Sequence, residues 1–338
     1  MQKFHEDLLT KEEQQQYNHE IELLRKEFYR NHGFRTWEQY LNEKLPQIRE
    51  KIKNNKKENN KPTMLVAPNY IPMSLVQDVA PLSNFIAKSS IFAPRQKSAK
   101  IKDTGQNYID ITSPANLKIT YNGPLLDMSD QTVYLALTKF AEGSKPGEPI
   151  FLNKAELLKL CGYTSVGKST YTKLENSILK LSQANLKFEF KNYYINEYNQ
   201  LEEKNNQKTT ILLNLIDKVA YDSNNKIFIV LSSEILTLFS NNLFGYNNLE
   251  IRKEWRKSAV NKIELTFWLQ SYICADAKGE HAPVKISTIK RLINNNSKYN
   301  DFLNAIKIAF QNLLDMNEIK YYNIYKVDKQ EYMVVWIR

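Results

Sequence analysis

One order of secondary-structure signals occurs twice in this chain, first between residues 113 and 240 and again between 241 and 338. In each half, a helical apolar period precedes a very short apolar strand, a short helix, a polar turn, a longer helix and alternating strand-like segments. The two halves share little residue identity, but their predicted elements follow in the same order. The repeat therefore restricts the architecture to two similar α+β units.

The first half contains the more complete set of signals. Asn153 stands where a helix N-cap is required, and Gly162 stands where that short helix must end. The predicted elements are a strand at 116–121, a helix opened by Ser129 and Asp130, a strand at 150–152, helices at 154–161 and 168–183, and strands at 185–195, 209–221 and 226–232. Polar residues 196–208 are predicted to form the loop of a β-hairpin.

The second half repeats this order with a clear apolar stripe in its last helix. The predicted elements are a helix at 258–275, a short strand at 283–286, a helix capped by Ser287, a polar turn at 294–300, a helix at 301–316, and strands at 318–327 and 331–338. Helix, short strand, helix, turn, helix and paired strands are the order of a winged-helix domain. We therefore predict tandem winged-helix domains, in which the helix after each turn is the recognition helix and the hairpin is the wing.

Two segments of different character precede the repeat. Residues 1–61 are predicted to be a helical extension that ends in a polar linker, the stretch KNNKKENNK at 53–61. Residues 62–112 are punctuated by prolines and are predicted to form an irregular arm that packs locally at most. Between Lys88 and Lys102 the arm carries cations and no acid, so it is either a solvated loop or a segment that lies along phosphates.

Composition restricts the partners of such a chain. The 47 Lys and Arg residues against 37 Asp and Glu give a net charge of +10, which favours polyanions. The chain has no apolar run long enough to span a bilayer and no signal-peptide core, so we expect a cytoplasmic protein without a membrane partner. Cys161 and Cys274 cannot build a disulfide framework, and the four histidines are scattered, so we expect no metal, no cofactor and no catalytic residue.

One motif points to a different function. Residues 162–169, GYTSVGKS, match the P-loop pattern G-x-x-x-x-G-K-[ST] at every position. A P-loop requires a buried strand before the first glycine, whereas the preceding KAELLKLC is predicted to be helical. The same two glycines, Gly162 and Gly167, would also permit the turn of a helix-turn-helix. A P-loop enzyme driven by nucleotide hydrolysis is therefore the alternative to a helix-turn-helix here.

Residues at or near the predicted turns are the expected DNA contacts. The N-terminal stretch of a recognition helix reaches base edges, and nearby cations reach phosphates. For the cations around Trp255, a solvated helix with a packed tryptophan is the alternative to phosphate contact. The expected contacts are Arg95, Lys97 and Lys100 in the arm, Lys168, Ser169, Thr170, Tyr171 and Lys173 in the first recognition helix, Lys187 in the wing, Arg252 and Arg256 near Trp255, and Lys290, Arg291, Asn296, Ser297, Lys298, Tyr299 and Lys307 around the second turn.

Five segments in matching order resemble the TrfA-type plasmid replication initiators. They are AKSSIFAPR (87–95), LKITYNG (117–123), GEPIFLNKAELLKLCGY (147–163), YTKLENSILKLSQANLKF (171–188) and KEWRKSAV (253–260). The resemblance covers roughly 88–338. It implies tandem winged-helix domains that bind repeated origin sites, called iterons, help to melt adjacent AT-rich DNA and recruit host initiator, helicase and polymerase components.

The resemblance also implies a way to control copy number, and this sequence departs from the family pattern at one place. A monomer–dimer equilibrium, with the monomer active, often controls copy number in this family, and single-stranded AT-rich DNA is a further implied partner. The family's best-known member carries a Gln-Leu-x-Leu-Phe peptide for the sliding clamp, and the stretches around 60–79 lack it. A winged-helix repressor of its own gene and an oligomeric scaffold for replication proteins are the other functions compatible with the sequence.

Overall fold

The computed structural model describes residues 70–74, 76, 78–94, 109–111, 113, 117–145, 147–196, 200–222, 225–239, 243–328 and 331–338. The predicted N-terminal helices and linker, and residues 95–108 of the basic arm, lie outside these residues. Within the described part of the chain, no helix is both long and apolar enough to cross a membrane.

The described residues form twelve strands and nine helices. The strands are β1 (Val79–Ser83), β2 (Ile109–Ile111), β3 (Leu117–Asn122), β4 (Pro149–Asn153), β5 (Asn185–Ile195), β6 (Leu201–Asn214), β7 (Ile216–Tyr221), β8 (Lys226–Leu231), β9 (Phe244–Asn248), β10 (Val284–Lys285), β11 (Tyr321–Lys326) and β12 (Tyr332–Ile337). The helices are α1 (Asn84–Ala87), α2 (Met128–Phe140), α3 (Lys154–Leu160), α4 (Lys168–Ser182), α5 (Ile235–Phe239), α6 (Leu249–Lys257), α7 (Ile263–Cys274), α8 (Ile286–Leu292) and α9 (Tyr299–Asp315).

Strand pairing shows that the two units have the same topology. In the first unit the sheet order is β4-β8-β7, and in the second it is β10-β12-β11. All of these pairs are antiparallel, with Phe151 opposite Phe228 in the first unit and Val284 opposite Val334 in the second. In each unit a first helix, the short strand and a helix-turn-helix come before the two strands that complete the sheet. The predicted α+β tandem winged-helix fold is therefore confirmed.

The same pairing corrects the predicted position of the first wing. The hairpin equivalent to β11–β12 is β7–β8, because it alone pairs with the short strand β4. The predicted wing, β5–β6, belongs to a separate four-stranded sheet of order β2-β3-β5-β6. Lys187 lies on β5, so it is on this added sheet and not on the wing.

The boundaries of this hairpin also differ from the prediction. Residues 196–208 were expected to form a loop, but β6 begins at Leu201, which is buried and pairs with Ile195. The segment 209–221, expected as one strand, is divided at Leu215 between two sheets. Leu215 is fully buried, so it anchors the crossing of the chain from one sheet to the other.

Part of the predicted irregular arm is a core element. β1 pairs along its whole length with β9, more than 150 residues later, and Ala80, Leu82 and Ile86 are buried. Proline has no amide hydrogen to donate to a neighbouring strand. β1 tolerates Pro81 because this sheet has only two strands, so one edge of β1 has no strand beside it. The prediction failed here because the pairing partner is distant in sequence and leaves no local period.

Helix boundaries in the second unit depart from the prediction at two places. The expected helix at 258–275 is preceded by the separate helix α6, and α7 begins only at Ile263. Ala259 and Lys262 between them have positive φ values of 48° and 57°, which a continuous helix cannot contain. Ser287 does not cap α8; its hydroxyl donates a hydrogen bond of 2.5 Å to Glu331 Oε2.

A buried arginine joins the two winged-helix units. Arg252 on α6 is fully buried and donates to five neutral oxygens. The acceptors are Gln270 Oε1 (2.7 Å), Ser271 Oγ (2.8 Å), Gln131 Oε1 (2.9 Å), the Phe267 carbonyl (3.0 Å) and Thr132 Oγ1 (3.3 Å). Burial lowers the pKa of Arg252 to about 9, so the guanidinium keeps its charge at neutral pH. Because its partners lie on α2 and α7, this side chain ties the first helix of each unit to α6.

We expect Arg252→Met to destabilise the protein strongly. The variant leaves the amide oxygens of Gln131 and Gln270 buried with fewer donors, and we expect a loss on the order of 3 kcal/mol in the free energy of unfolding. Urea titration measures this loss. The matched control is Lys257→Met on the same helix, where the cation is exposed. Equal losses in the two variants would contradict the role given to Arg252.

Candidate nucleic-acid interface

The two helix-turn-helix pairs use one turn geometry. Gly162 and Asn294 each follow the short helix with positive φ values of 84° and 51°. In the first turn, the amides of Gly162 and Tyr163 donate to the carbonyls of Lys159 and Leu158, each at 3.0 Å. In the second, the amides of Asn294 and Asn295 donate to those of Arg291 and Lys290, also at 3.0 Å. Both are Schellman turns, so both recognition helices leave their short helix in the same manner.

In the first unit, α4 is the recognition helix. Leu174, Ile178 and Leu181 are buried and anchor one face. The opposite face is exposed to solvent and carries Lys168, Ser169, Thr172, Lys173 and Asn176. Thr170 Oγ1 accepts a 2.9 Å hydrogen bond from the Gly167 amide, so this predicted DNA contact acts as a helix cap.

A buried carboxylate fixes α4 against α2. Asp130 accepts hydrogen bonds from Ser177 Oγ at 2.7 Å and Lys180 Nζ at 2.8 Å, both on α4. Burial and the neighbouring Asp127 carboxylate raise the pKa of Asp130. The N-cap of α2 is Asp127 and not the predicted Ser129, because Asp127 accepts from the Ser129 amide while Asp130 accepts from the Asp127 amide. The capping box thus also positions the recognition helix.

In the second unit, α9 is the recognition helix. Phe302, Ile306 and Phe310 are buried on one face. The other face is exposed and carries Lys298, at the N-cap, with Asn300, Asn304 and Lys307.

The turn before α9 uses several predicted DNA contacts to build itself. Lys290 Nζ donates to the Asn295 carbonyl at 2.6 Å, and the Ser297 amide donates to Asn295 Oδ1 at 2.9 Å. Tyr299 donates its hydroxyl hydrogen to Glu331 Oε1 at 2.9 Å and accepts from the Tyr332 amide at 3.0 Å, which connects the recognition helix to β12. These side chains therefore shape the turn, and they are less free to contact a ligand.

The predicted contacts other than Arg252 and Arg256 thus divide into four groups. Seven are exposed or half-buried without an ion pair or side-chain hydrogen bond to the described residues: Lys168, Ser169, Lys173, Arg291, Asn296, Lys298 and Lys307. Five are engaged within their own unit: Thr170, Lys187, Lys290, Ser297 and Tyr299. Tyr171 packs half-buried against the core. Arg95, Lys97 and Lys100 lie outside the described residues.

Of the remaining two predicted contacts, Arg252 is wrong, and Arg256, which is half-buried, stays a prediction. Arg252 is buried at the junction between the units and cannot reach a phosphate. The Arg256 guanidinium lies 5.4 Å from the Tyr163 ring centre and 5.5 Å from that of Phe267. Each lysine of α6 is also paired: Lys253 with Glu250 at 2.7 Å, and Lys257 with Glu254 at 2.5 Å. The two arginines of α6 thus pack between the units, and its two lysines pair with acids of the same helix.

Four polar residues of the exposed recognition faces are absent from the predicted contacts. Thr172 and Asn176 lie on the face of α4 that carries Ser169, and Asn300 and Asn304 lie on the face of α9 that carries Lys307. Helical spacing was the available signal, because residues three, four and seven apart share a face. The prediction used the start of each helix and, further along, only Lys307, so it did not follow the rest of each exposed stripe.

The surroundings of residues 162–169 are not those of a P-loop. The segment before Gly162 is the helix α3, where a P-loop requires a buried strand. No group of three or more potential metal ligands occurs among the described residues. Cys161 and Cys274 are both buried, and burial raises the pKa of each thiol to about 12, so neither is an activated nucleophile.

Two helix-turn-helix pairs, each closed by a three-stranded antiparallel sheet, define the class as a tandem winged-helix protein. The family model described as TrfA protein matches residues 47–306. The chain belongs to the TrfA protein family, and the family resemblance found in the sequence is confirmed.

Solved structures with some similarity include two of RctB domains 2 and 3. They have 14% and 13% identity and TM-scores of 0.48, and they cover 75% and 76% of this chain and 96% and 97% of their own. The WH1 domain of MSBI1.176, a replication protein isolated from a multiple sclerosis patient, has 12% identity and a TM-score of 0.23. It covers 33% of this chain and 77% of its own. The comparison with curated proteins gives no match.

We expect Gly162→Ala to destabilise the protein more than the same substitution does at a left-handed glycine with free space around it. A Cβ there would lie 3.0 Å from Lys253 Cα, so the substitution adds a clash with α6 to the roughly 1–2 kcal/mol of left-handed strain. Gly147→Ala is the matched control, because its φ is 83° and nothing lies within 4 Å of a new Cβ. Thermal unfolding should show the larger loss for Gly162→Ala; a loss no larger than the control's would contradict this packing.

Proposed function

We propose that this protein is a plasmid replication initiator that binds repeated duplex sites at an origin through α4 and α9. The observation that carries the proposal is the distribution of charge. The cations of α6 are buried, stacked or paired with acids, whereas Lys168 and Lys173 on α4 and Lys307 on α9 have no acidic partner among the described residues. Family membership supports the same function.

The geometry supports a simple mode of binding. Each recognition helix enters a major groove with its exposed stripe toward the bases, as in other helix-turn-helix proteins. Lys168 and Lys298, at the helix starts, neutralise phosphates, while side chains further along each stripe reach base edges. The wings β7–β8 and β11–β12 then lie beside the backbone that flanks each groove.

The finer steps of initiation are part of the proposal. Binding to iterons strains the adjacent AT-rich duplex, and host initiator, helicase and polymerase components are recruited to the opened DNA. The protein acts in the bacterial cytoplasm without catalysis of its own, and a monomer–dimer equilibrium limits the active form. These steps rest on the family resemblance, which supports a replication role.

The second candidate function is repression of its own gene. The same two recognition helices would serve a repressor, so the DNA-binding surface favours both functions equally. A plasmid that carries only the origin separates them when the protein is supplied from a second gene. Replication of that plasmid supports the initiator, and its failure to replicate supports the repressor.

Binding should depend steeply on salt. If the two units contact about 6–10 phosphates, affinity should fall about 10³–10⁵-fold between 50 and 200 mM salt because condensed counterions are released. Fluorescence anisotropy with labelled iteron duplex and the full chain measures this slope. A flat response would exclude a phosphate-dependent interface.

Lys173→Ala should weaken iteron binding and leave the fold intact. Lys173 is exposed on α4, so its removal costs a DNA contact and no internal one. If the contact is to a phosphate, the salt slope should also fall by about 1. Lys257→Ala is the matched control, since that lysine already pairs with Glu254 on α6. Unchanged affinity in Lys173→Ala would remove this residue from the interface.

A further inference from the structure

Both recognition helices expose asparagines that the fold does not use. The side-chain amides of Asn176 on α4 and Asn304 on α9 make no hydrogen bond with any described residue. Amides in the C-terminal half of α9 behave differently: Asn312 donates to the Asn261 carbonyl at 3.0 Å, and Gln311 donates to Asp315 at 2.7 Å. Within α4 and α9, the side-chain amides without a partner among the described residues therefore lie on the parts of the helices that face the proposed groove.

Helix stability does not account for these residues. Asparagine is a weak helix former, because its side chain competes for nearby backbone groups. Asn176 and Asn304 occupy interior helix positions, where alanine, lysine or glutamate would stabilise the helix more. A role outside the helix explains why an unpaired amide stands at each place.

Each asparagine belongs to a stripe with a lysine. Ser169, Lys173 and Asn176 are spaced four and three residues apart on α4, and Asn300, Asn304 and Lys307 have the same spacing on α9. Such residues lie on one helix face. Seven residues advance about 10 Å along the helix axis, which corresponds to roughly three base pairs of duplex. Each stripe is thus long enough to read a short run of bases.

The geometry points to a base-reading role: Asn176 and Asn304 each contact an adenine in the major groove, and Lys173 and Lys307 each contact a neighbouring guanine. The inference rests on the proposed duplex binding. An asparagine amide offers one acceptor and donors that match adenine N6 and N7, whereas a lysine ammonium donates to guanine O6 and N7. The amide follows the lysine along α4 but precedes it along α9, so the two units read different sequences and the site is not a palindrome.

The test begins with the site that the full chain selects from a random duplex library. Each adenine of that site is then replaced by 7-deazaadenine, which keeps base pairing but lacks the N7 acceptor. We expect wild-type affinity to fall about 10- to 100-fold at one adenine for each unit. The loss at the first adenine should disappear in Asn176→Ala, and the loss at the second should disappear in Asn304→Ala.

Asn261→Ala is the control variant. Asn261 is exposed in the loop beside the C-terminal half of α9, away from the proposed groove, so this variant should keep the sensitivity at both adenines. Specific binding without sensitivity to 7-deazaadenine, or sensitivity that survives in both Asn176→Ala and Asn304→Ala, would overturn the inference and leave the proposed function standing. Failure of the full chain to select any duplex site would overturn the proposed function and the inference with it.

Discussion

The buried guanidinium of Arg252 is the interaction on which the arrangement of the two units depends. It lies between α2 of the first unit and α7 of the second and donates only to neutral oxygens. A buried charge without an acidic partner is costly unless its donors are satisfied, so the surrounding side chains must keep their positions. The first helix of each winged-helix domain is thereby held against α6. Since α4 packs on α2 through Asp130, and α9 packs on α7, the junction also sets the separation of the two recognition helices.

This junction explains which cations remain for a ligand. The net charge of +10 suggests a polyanionic partner but does not locate it. On α6, Arg252 and Arg256 pack between the units, and Lys253 and Lys257 form ion pairs with glutamates of the same helix. On α4 and α9 the exposed stripes hold lysines and asparagines whose side chains have no ion pair or hydrogen bond with the part of the chain that the structure describes. The division separates cations that support the fold from those available to DNA, although both groups are prominent in the sequence.

Local patterns predicted the helices and several strands well. β5 begins and ends at the predicted residues, and α4 differs from its predicted range by one residue, because apolar period, capping and glycine signals act within a few residues. The errors are long-range ones. Pairing of β4 with β8 decides which hairpin is the wing, and pairing of β1 with β9 places part of the arm in the core. The burial of Arg252 was equally invisible, because a charged residue in a polar stretch is normally exposed. Asn176 and Asn304 were missed although helical spacing already places them on the face opposite the apolar stripe of each helix.

The central claim is that α4 and α9 contact one DNA duplex while α6 only connects the units. Site-specific photo-crosslinking tests it directly, with a benzophenone amino acid placed in turn at Lys173, Lys307 and Lys257 of the full chain. On iteron duplex, the account predicts crosslinks to bases from the first two positions and none from the third. Crosslinks from the α6 position, with none from the two recognition helices, would contradict it.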